Sequence, residues 1–389
     1  MDQPLLLHEI VSEIQKTPRK AISFRRYMEL ALYHPEWGYY HRMKPKIGKE
    51  GDFYTSPAVG EAFGWTLAKG ISHMVQSFPE GSSWYLIEAG AGDGILATHM
   101  IQGLDRLGFR PRRLFIVETS SYYRAVQKQM LVDSPVSVYW VEEIRDLPND
   151  LPCILVSNEF FDAFPVHRVI SQENGIKEIF VTWDDQKKEL VECLFSPSRT
   201  DLSDYFLEMD WNLPVGWSAE VPLDALNWLE TLGQWLKNGY VITMDYGGTT
   251  EELSVPARKN GTLRCYHKHQ LHQDFYSDPG TSDITCHVHF SALMKHGSKV
   301  GLNNLLYTTQ ARFLLRSGIW TLLVNPPPSD PFGQVARRNR AIRHLALEEG
   351  MGSAFQVLIQ SKGIQHPVAG LMQEDCFGVG KQVSLSKNM

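Results

Sequence analysis

The stretch Trp84-Tyr-Leu-Ile-Glu-Ala-Gly-Ala-Gly-Asp-Gly94 decides the predicted fold. Its first four residues are apolar and are typical of a buried strand, and a helical pattern follows from Ile95 to Leu107. The alternating glycines allow a sharp turn and let a ligand approach the backbone. A strand, a glycine turn and a helix form the first unit of a nucleotide-binding α/β sheet, in which the start of the helix directs free N–H groups at the ligand.

The spacing of Gly90, Gly92 and Gly94 separates two classes of cofactor. Dinucleotide enzymes use G-x-G-x-x-G, because a pyrophosphate sits on the start of the helix. Here the spacing is G-x-G-x-G, and an acid, Glu88, precedes it. An acid would repel a pyrophosphate but suits S-adenosylmethionine, which carries a sulfonium and an ammonium group. The pattern therefore favours S-adenosylmethionine over NAD, and an ordinary glycine turn without a ligand is the alternative.

A second acid supports the same cofactor. The run Arg113-Leu-Phe-Ile-Val-Glu118 is predicted to be the next strand, and it ends in a carboxylate. An acid at the end of the second strand can accept hydrogen bonds from both ribose hydroxyls of an adenosine. We therefore predict that Glu118 binds the cofactor; a glutamate at the surface end of a strand is the alternative.

Polar side chains also follow the fourth predicted strand, residues 152–157. Ligands of an open parallel sheet sit at the carboxyl ends of its strands. We therefore expect Asn158 at the cofactor, with Glu159 and Asp162 beside the transferable methyl group. Two carboxylates three residues apart can grip a planar guanidinium cation, offset added charge and take a proton. Glu159 and Asp162 are thus the predicted catalytic pair; the alternative is that they cap a loop and a helix.

Two other segments carry polar side chains without a decisive pattern. The turn at residues 51–57 contains Asp52, Thr55 and Ser56, which either close over the cofactor or cap the next helix. A later segment contains five histidines, His267, His269, His272, His287 and His289. Such H-x-H pairs can bind zinc or iron, but no carboxylate–histidine spacing here matches a known metal site. We predict that the protein holds no metal.

The chain is expected to divide near residue 80. Residues 1–80 are predicted to form an N-terminal helical extension that includes the 51–57 turn, and residues 81–389 to form the α/β domain. Antiparallel strands at about 165–215 and a long irregular connection at about 246–299 are expected as insertions in this domain. After the second insertion, the sequence predicts one helix over 301–317.

Composition excludes several classes of protein. The 389 residues carry a net charge of −6, which argues against a surface built for nucleic acid. No apolar run is long enough to span a membrane, and the N-terminus resembles neither a secretory signal nor a transit peptide. The five cysteines are widely spread and contain no C-x-x-C pair, which is typical of a reducing compartment. We therefore expect a cytoplasmic protein that binds neither membrane nor nucleic acid.

Motifs along nearly the whole chain resemble one family, the MidA-like class I methyltransferases, which include an arginine methyltransferase of mitochondrial complex I assembly. The shared stretches are Tyr27-Met-Glu-Leu-Ala-Leu-Tyr-His-Pro35, Gly51-Asp-Phe-Tyr-Thr-Ser-Pro57, Glu88-Ala-Gly-Ala-Gly-Asp-Gly94, Asn158-Glu-Phe-Phe-Asp-Ala-Phe-Pro-Val166, Asp245-Tyr-Gly247, Gly261-Thr-Leu-Arg-Cys-Tyr266 and Gln310-Ala-Arg-Phe-Leu314. The resemblance implies a Rossmann-like sheet with helices on both faces, S-adenosylmethionine as cofactor and protein arginine as acceptor. It also makes Tyr246 a candidate on the substrate side.

The chain departs from the family pattern at positions that bear on the acceptor. His289 stands where the family often has Asp, which makes it a further substrate-side candidate. This departure motivates a second reading, a methyltransferase for a small natural-product molecule. A third reading, from another class, is a weakly catalytic assembly chaperone that binds a partner protein. A homodimer is also considered.

Overall fold

The computed structural model of the chain describes residues 3–42, 60–267, 270–272, 274–325, 333–347 and 354–364. The helices in this part are α1 (Gln3–Lys16), α2 (Phe24–Tyr33), α3 (Glu61–Val75), α4 (Ile95–Arg106), α5 (Ser121–Met130), α6 (Asp201–Glu208), α7 (Leu223–Trp235), α8 (Thr250–Leu253), α9 (Phe290–Lys299), α10 (Gln310–Arg316) and α11 (Gln334–Ala346). The strands are β1 (Ala21–Ser23), β2 (Tyr85–Ala89), β3 (Arg113–Val117), β4 (Val138–Val141), β5 (Cys153–Asn158), β6 (His167–Gln172), β7 (Gly175–Asp184), β8 (Glu189–Phe195), β9 (Ser218–Val221), β10 (Gly239–Gly248), β11 (Arg264–His267), β12 (Gln270–His272), β13 (Asp283–Thr285), β14 (Val288–His289), β15 (Asn303–Thr309) and β16 (Phe355–Lys362).

The central sheet has the strand order β15-β16-β10-β5-β2-β3-β4, and β14 pairs with the end of β10. The five strands from β10 to β4 are parallel, whereas β16 is antiparallel to both of its neighbours. The chain order reverses between β2 and β5. Ligands of open α/β sheets bind at this switch point, beyond the carboxyl ends of the strands.

Both faces of the sheet are covered, which explains why its parallel strands are continuously apolar. On β2, Leu86 packs in the core formed with α3, α4, α10 and α11. Its neighbour Ile87 packs in the core formed with α6, α7 and α9 on the other face. Both side chains are fully buried. The predicted α/β class with helices on both faces is confirmed.

A second sheet joins the N-terminal part to the first insertion. Its strands are antiparallel, in the order β1-β7-β6-β9, with β8 added to β7. Helices α1 and α2 pack against it in a separate core that includes Tyr27, Val166 and Val181. Helices α1 and α2 and strand β1 thus form one layer with the antiparallel insertion, whereas α3 packs on the central sheet. The boundary at residue 80 stays a prediction.

The prediction of one helix over 301–317 is wrong. Residues Asn303–Thr309 form β15, and only Gln310–Arg316 is helical. The cause is distant in sequence, because β15 pairs with β16 some fifty residues later along the chain. The connection at 246–299 is also more regular than expected, since it contains α8, α9 and the small sheet β12-β11-β13. Among the described helices, none has the length and hydropathy needed to cross a membrane.

Candidate active site

A cavity of about 690 Å³ lies at the carboxyl ends of the parallel strands. Its floor includes the glycine turn after β2, the end of β3 and the loop after β5. Residues of α2 and α7 form other parts of its wall. The cavity therefore lies at the switch point of the sheet, where the topology predicts a ligand.

The glycine turn has the backbone geometry that its sequence predicts. The φ angles of Gly90, Gly92 and Gly94 are +68°, +53° and +83°, in the left-handed region that favours glycine. A Cβ on Gly90 would lie 2.6 Å from the ring of Phe160. Gly90 and Gly92 line the cavity, whereas Gly94 is the N-cap of α4 and does not.

Glu88, at the end of β2, is a buried acid that faces the cavity. Its Oε2 atom has no hydrogen-bond partner among the described residues. Burial raises the pKa of this carboxyl to about 8, and the charge of Asp93 adds to the effect. A buried carboxylate without a partner is costly, so the site fits a cationic group that supplies one.

Glu118 is fixed by a network that reaches the glycine turn. Its Oε1 accepts the N–H of Ser120 at 2.8 Å, and its Oε2 accepts from Nε2 of Gln127 at 3.2 Å. The same Nε2 donates to the carbonyl of Gly92 at 2.8 Å, and Oε1 of Gln127 accepts from the indole of Trp140 at 2.9 Å. Gln127 thus couples the turn to the acid. Sequence reasoning missed it, since nothing in a helical glutamine marks this contact.

The loop after β5 brings the predicted catalytic pair into the same cavity. Glu159 and Asp162 both line it, together with Asn158, whose Nδ2 donates to Oε1 of Glu159 at 3.3 Å. Burial raises the pKa of Glu159 to about 8 and the pKa of Asp162 well above its usual range, and the charge of Asp245 adds to both shifts. Oδ1 of Asn158 is buried without a described partner. The pair is therefore poised to receive a cation.

Part of the wall comes from the N-terminal segment. The hydroxyl of Tyr33 donates to the carbonyl of Ala163 at 2.9 Å. The ring of Tyr33 stacks on that of Tyr40 with centroids 5.3 Å apart. The hydroxyl of Tyr40 donates to the carboxylate of Asp283, at 2.8 and 2.9 Å from its two oxygens. Tyr33, Tyr40 and Asp283 line the cavity, although the sequence did not single them out as site residues.

The cavity is strongly acidic. Of the described residues that line it, nine are acids and one, Arg25, is a base. Arg25 is already paired, through Nη2 to Oδ2 of Asp224 at 2.6 Å and through Nη1 to Oε2 of Glu29 at 2.9 Å. The other acids are Glu88, Asp93, Glu118, Glu142, Glu159, Asp162 and Asp283. The cavity therefore suits ligands of positive charge.

Two substrate-side candidates lie elsewhere. The ring of Tyr246 packs on Phe355, with centroids 4.0 Å apart, and does not line the cavity. His289 is buried against Tyr205 and Thr250, with Nδ1 bonded to the Tyr205 hydroxyl and Nε2 at 2.9 Å from Thr250 Oγ1. Asp52, Thr55 and Ser56 fall outside the described residues.

His289 and His287 adjoin a different and much smaller space, of about 20 Å³, with room for roughly one water molecule. Burial lowers the pKa of His287 to about 3 and that of His289 to about 4. Within the part of the chain that the structure describes, no group of three or more His, Cys, Asp or Glu residues could hold a metal ion. His289 is thus a buried core residue, whereas His287 is partly buried and neither of its ring nitrogens has a described partner.

The fold and the cavity define a class of protein. A sheet of this strand order, with a left-handed glycine turn, an unpartnered acid before it and an acid at the end of the next strand, fits S-adenosylmethionine. These features are those of a class I methyltransferase.

Comparison with known proteins identifies the family. Residues 66–308 match the model of a family of S-adenosyl-L-methionine-dependent methyltransferases. The crystal structure of a Burkholderia thailandensis protein bound to S-adenosyl-homocysteine is 32% identical in sequence, covers 95% of each chain and has a TM-score of 0.86. The chain belongs to this methyltransferase family, and its reaction requires S-adenosylmethionine and a methyl acceptor.

Curated relatives of the chain are also methyltransferases by name. Protein arginine methyltransferase NDUFAF7 of Rattus norvegicus is 28% identical over 348 residues, which cover 81% of this chain and 74% of the relative. The NDUFAF7 homolog of Caenorhabditis elegans is 25% identical over 302 residues, which cover 70% and 67%. Both relatives are named as mitochondrial. The expectation of a cytoplasmic location is therefore wrong; it relied on the cysteine pattern and on the lack of a recognisable signal or transit peptide.

Proposed function

We propose that the protein transfers a methyl group from S-adenosylmethionine to the guanidinium group of a protein arginine. The observation that carries the proposal is the charge of the cavity, with nine acids against a single arginine that two of them already bind. Such an excess suits two cations at once, the sulfonium cofactor and a guanidinium acceptor. The relatives named protein arginine methyltransferases support the same acceptor.

We assign the cofactor side of the cavity to Glu88, Gly90, Gly92, Glu118 and Asn158. Oε2 of Glu88 and Oδ1 of Asn158 are acceptors without described partners. Both suit the end of the cofactor that carries the ammonium and sulfonium groups. Glu118, held by Ser120 and Gln127, suits the ribose. Gly94 acts through the start of α4. When bound, S-adenosylmethionine supplies an electrophilic methyl group, whose bond to sulfur breaks as a bond to nitrogen forms.

We assign the acceptor side to Glu159 and Asp162. An arginine side chain enters as a cation and is a poor nucleophile in that form. The two carboxylates orient its planar group, offset the positive charge and accept the proton that the nitrogen gives up on methylation. Orientation of this kind supplies up to about 7–11 kcal/mol of the rate acceleration. Burial raises the proton affinity of both acids, which matches them to the removal of a proton.

The small-molecule reading loses its motivation in the structure. It rested on His289, which is buried away from the cavity and bonded through both ring nitrogens. The chaperone reading has no observation of its own, since it uses the same cofactor site. The protein acceptor is thus the partner we propose, and a homodimer and the absence of nucleic-acid and membrane binding stay predictions from the sequence.

Transfer of labelled methyl groups tests the proposal. Purified protein is incubated with S-adenosylmethionine labelled at the methyl group and with a cell lysate, which is then split into protein and small-molecule fractions. We expect label in the protein fraction, and after hydrolysis we expect it in methylated arginine. The Gly92→Val variant is the control without cofactor binding. Label only in small molecules, label in another amino acid, or no label despite cofactor binding would each overturn the proposal.

A further inference from the structure

Asp245, at the carboxyl end of β10, is a buried acid that ties down the loop after β5. Its side chain is fully buried. Its Oδ2 atom accepts the backbone N–H groups of three consecutive residues, Phe160 at 3.1 Å, Phe161 at 2.9 Å and Asp162 at 3.3 Å. Its Oδ1 atom accepts the N–H of Tyr246 at 2.9 Å. One carboxylate thus gathers four backbone donors, three of them in the loop that carries the predicted catalytic pair.

The same loop holds a strained residue. Glu159 has a φ angle of +50°, a conformation that a residue with a side chain rarely adopts. The other non-glycine residues with positive φ in the described part are Lys20, Lys188 and Asp210, and all three are exposed. Glu159 instead lines the cavity. Such a conformation persists only where the surroundings impose it.

Backbone hydrogen bonds fix both ends of the loop from Glu159 to Asp162. Its own N–H donates to the carbonyl of Met244 at 3.0 Å, directly before Asp245. The carbonyl of Asp162 accepts the N–H of Cys286 at 3.0 Å. Between these two anchors, the carboxylate of Asp245 is the acceptor for the three intervening N–H groups. The direction of the Glu159 and Asp162 side chains therefore depends on these two anchors and on the carboxylate of Asp245 between them.

Only a carboxylate satisfies this arrangement. Both of its oxygens accept, and here each faces backbone N–H donors. An asparagine would turn an NH₂ group either towards the three loop amides or towards the amide of Tyr246. In each case buried donors would lose their acceptor, and leaving them unsatisfied is unfavourable.

We propose that Asp245 is a positioning residue for methyl transfer, which holds Glu159 and Asp162 against the cavity by gathering the amides of residues 160–162. The proposal rests on the roles given above to those two acids. Asp245 itself does not line the cavity, so it acts through the loop and through its charge rather than by touching the acceptor.

The charge of Asp245 gives the proposal a second, separate readout. Burial raises the pKa of Glu159 and Asp162, and the nearby charge of Asp245 raises both further. The other titratable groups that face this pair are Asp283, Tyr33, Tyr40 and Cys286. Burial raises the pKa of Asp245 itself to about 7, so it carries its charge above that pH. Removal of this charge should lower the pKa of both acids and move the acidic limb of the rate–pH profile to lower pH.

The Asp245→Asn variant tests the proposal in two assays. In hydrogen exchange, the amides of residues 160–162 should lose protection. This measurement needs no methyl acceptor and does not depend on the proposed function. In labelled methyl transfer, kcat should fall by about 10²-fold, the size expected for a misplacement of about 1 Å. Affinity for S-adenosylhomocysteine should stay near that of the wild type, since the assigned cofactor residues are unchanged.

The matched control is Glu178→Gln, which alters a fully buried acid in β7. Glu178 accepts from the backbone N–H of Ser198 at 2.6 Å and lies 2.7 Å from Nδ1 of His167, outside the cavity. It should lose stability but keep its kcat and pH profile. Two results in Asp245→Asn would overturn the role of Asp245: unchanged hydrogen exchange at residues 160–162, or a wild-type kcat. The role would also fail if Glu178→Gln lost as much kcat as Asp245→Asn at an equal loss of stability. If Glu159→Gln and Asp162→Asn also keep full turnover, the assignment of the acceptor side to these two acids fails, whereas the proposed function fails only if the wild type puts no label into protein arginine.

Discussion

Two regions of this protein are rich in titratable side chains, and they differ in almost every physical respect. The acids around the loop after β5 face a cavity of about 690 Å³, and Glu88 there leaves a carboxylate oxygen without a described partner. His287 and His289 adjoin a space of about 20 Å³. Both ring nitrogens of His289 are bonded, whereas those of His287 have no described partner. Burial raises the pKa of the acids and lowers that of the histidines.

The difference shows that residue type alone does not make a site. A histidine cluster suggests metal or catalysis in a sequence, but His289 here is a bonded core residue, and His287 beside it adjoins only a small space. The acids line a cavity because the parallel strands end together and leave room above them. The backbone of Glu159 is strained, and the carboxylate of Asp245 accepts three backbone N–H groups of the same loop. These contacts hold the loop in one conformation.

The largest effect is expected at the glycine turn. Gly92→Val should abolish cofactor binding, because Gly92 lines the cavity and a β-branched residue is strongly disfavoured at its φ of +53°. Calorimetry with S-adenosylhomocysteine measures the loss. Gly108→Val is the control, since Gly108 has a φ of +77°, open surroundings and no place in the cavity. Unchanged affinity in Gly92→Val would remove the cofactor assignment.

The two regions should also respond to pH with opposite sign. Burial raises the pKa of Glu159 from 4.5 to about 8, so between these two pH values the folded state retains a proton that the unfolded state loses. Glu159 therefore contributes to the free energy of unfolding at low pH, and this contribution is lost as the pH rises to 8. The loss is on the order of a few kcal/mol. His289, with a pKa lowered from 6.5 to about 4, loses its contribution as the pH falls below 6.5.

Urea unfolding of matched variants separates these contributions. Relative to the wild type, Glu159→Gln should flatten the fall in the free energy of unfolding between pH 5 and 8. His289→Gln should flatten the fall between pH 6.5 and 4. If either variant keeps the wild-type slope in its window, the burial argument for that region is wrong.

The smallest expected effect is that of chelation. Transfer of a methyl group from a sulfonium needs no Lewis acid, so EDTA should leave turnover unchanged. The measurement is labelled methyl transfer before and after dialysis against the chelator. If EDTA abolishes activity and zinc restores it, the histidine segment is a metal site. The conclusion that the acids and not the histidines form the functional region would then be wrong.

The sequence predicted the parts of the site that local patterns encode. The glycine turn with Glu88 needs only neighbouring residues, and Asn158, Glu159 and Asp162 follow a strand whose end the topology places at the cavity. The prediction failed where distant segments meet. Residues 301–317 include a strand because β16 pairs with it, and no local pattern shows this.

Contacts across the fold account for the other omissions. Gln127 bonds the glycine turn and Glu118 from a helix, and Tyr40 reaches Asp283 from more than 240 residues earlier. His289 looked like a substrate-side residue because it departs from a family pattern, yet Tyr205 and Thr250 enclose it. Such pairings depend on tertiary structure, and a single sequence does not contain a signal for them.

The most direct test compares charge removal in the two regions. Glu159→Gln, Asp162→Asn, His287→Gln and His289→Gln are assayed for methyl transfer and for binding of S-adenosylhomocysteine. We expect both acid variants to lose about 10²-fold or more in turnover while they still bind the cofactor product, and both histidine variants to stay near the wild-type rate. A loss at one acid only would point to a single base and a neutral acceptor. Wild-type turnover in both folded acid variants, or a large loss at His289, would contradict the claim that the acids after β5 receive the acceptor.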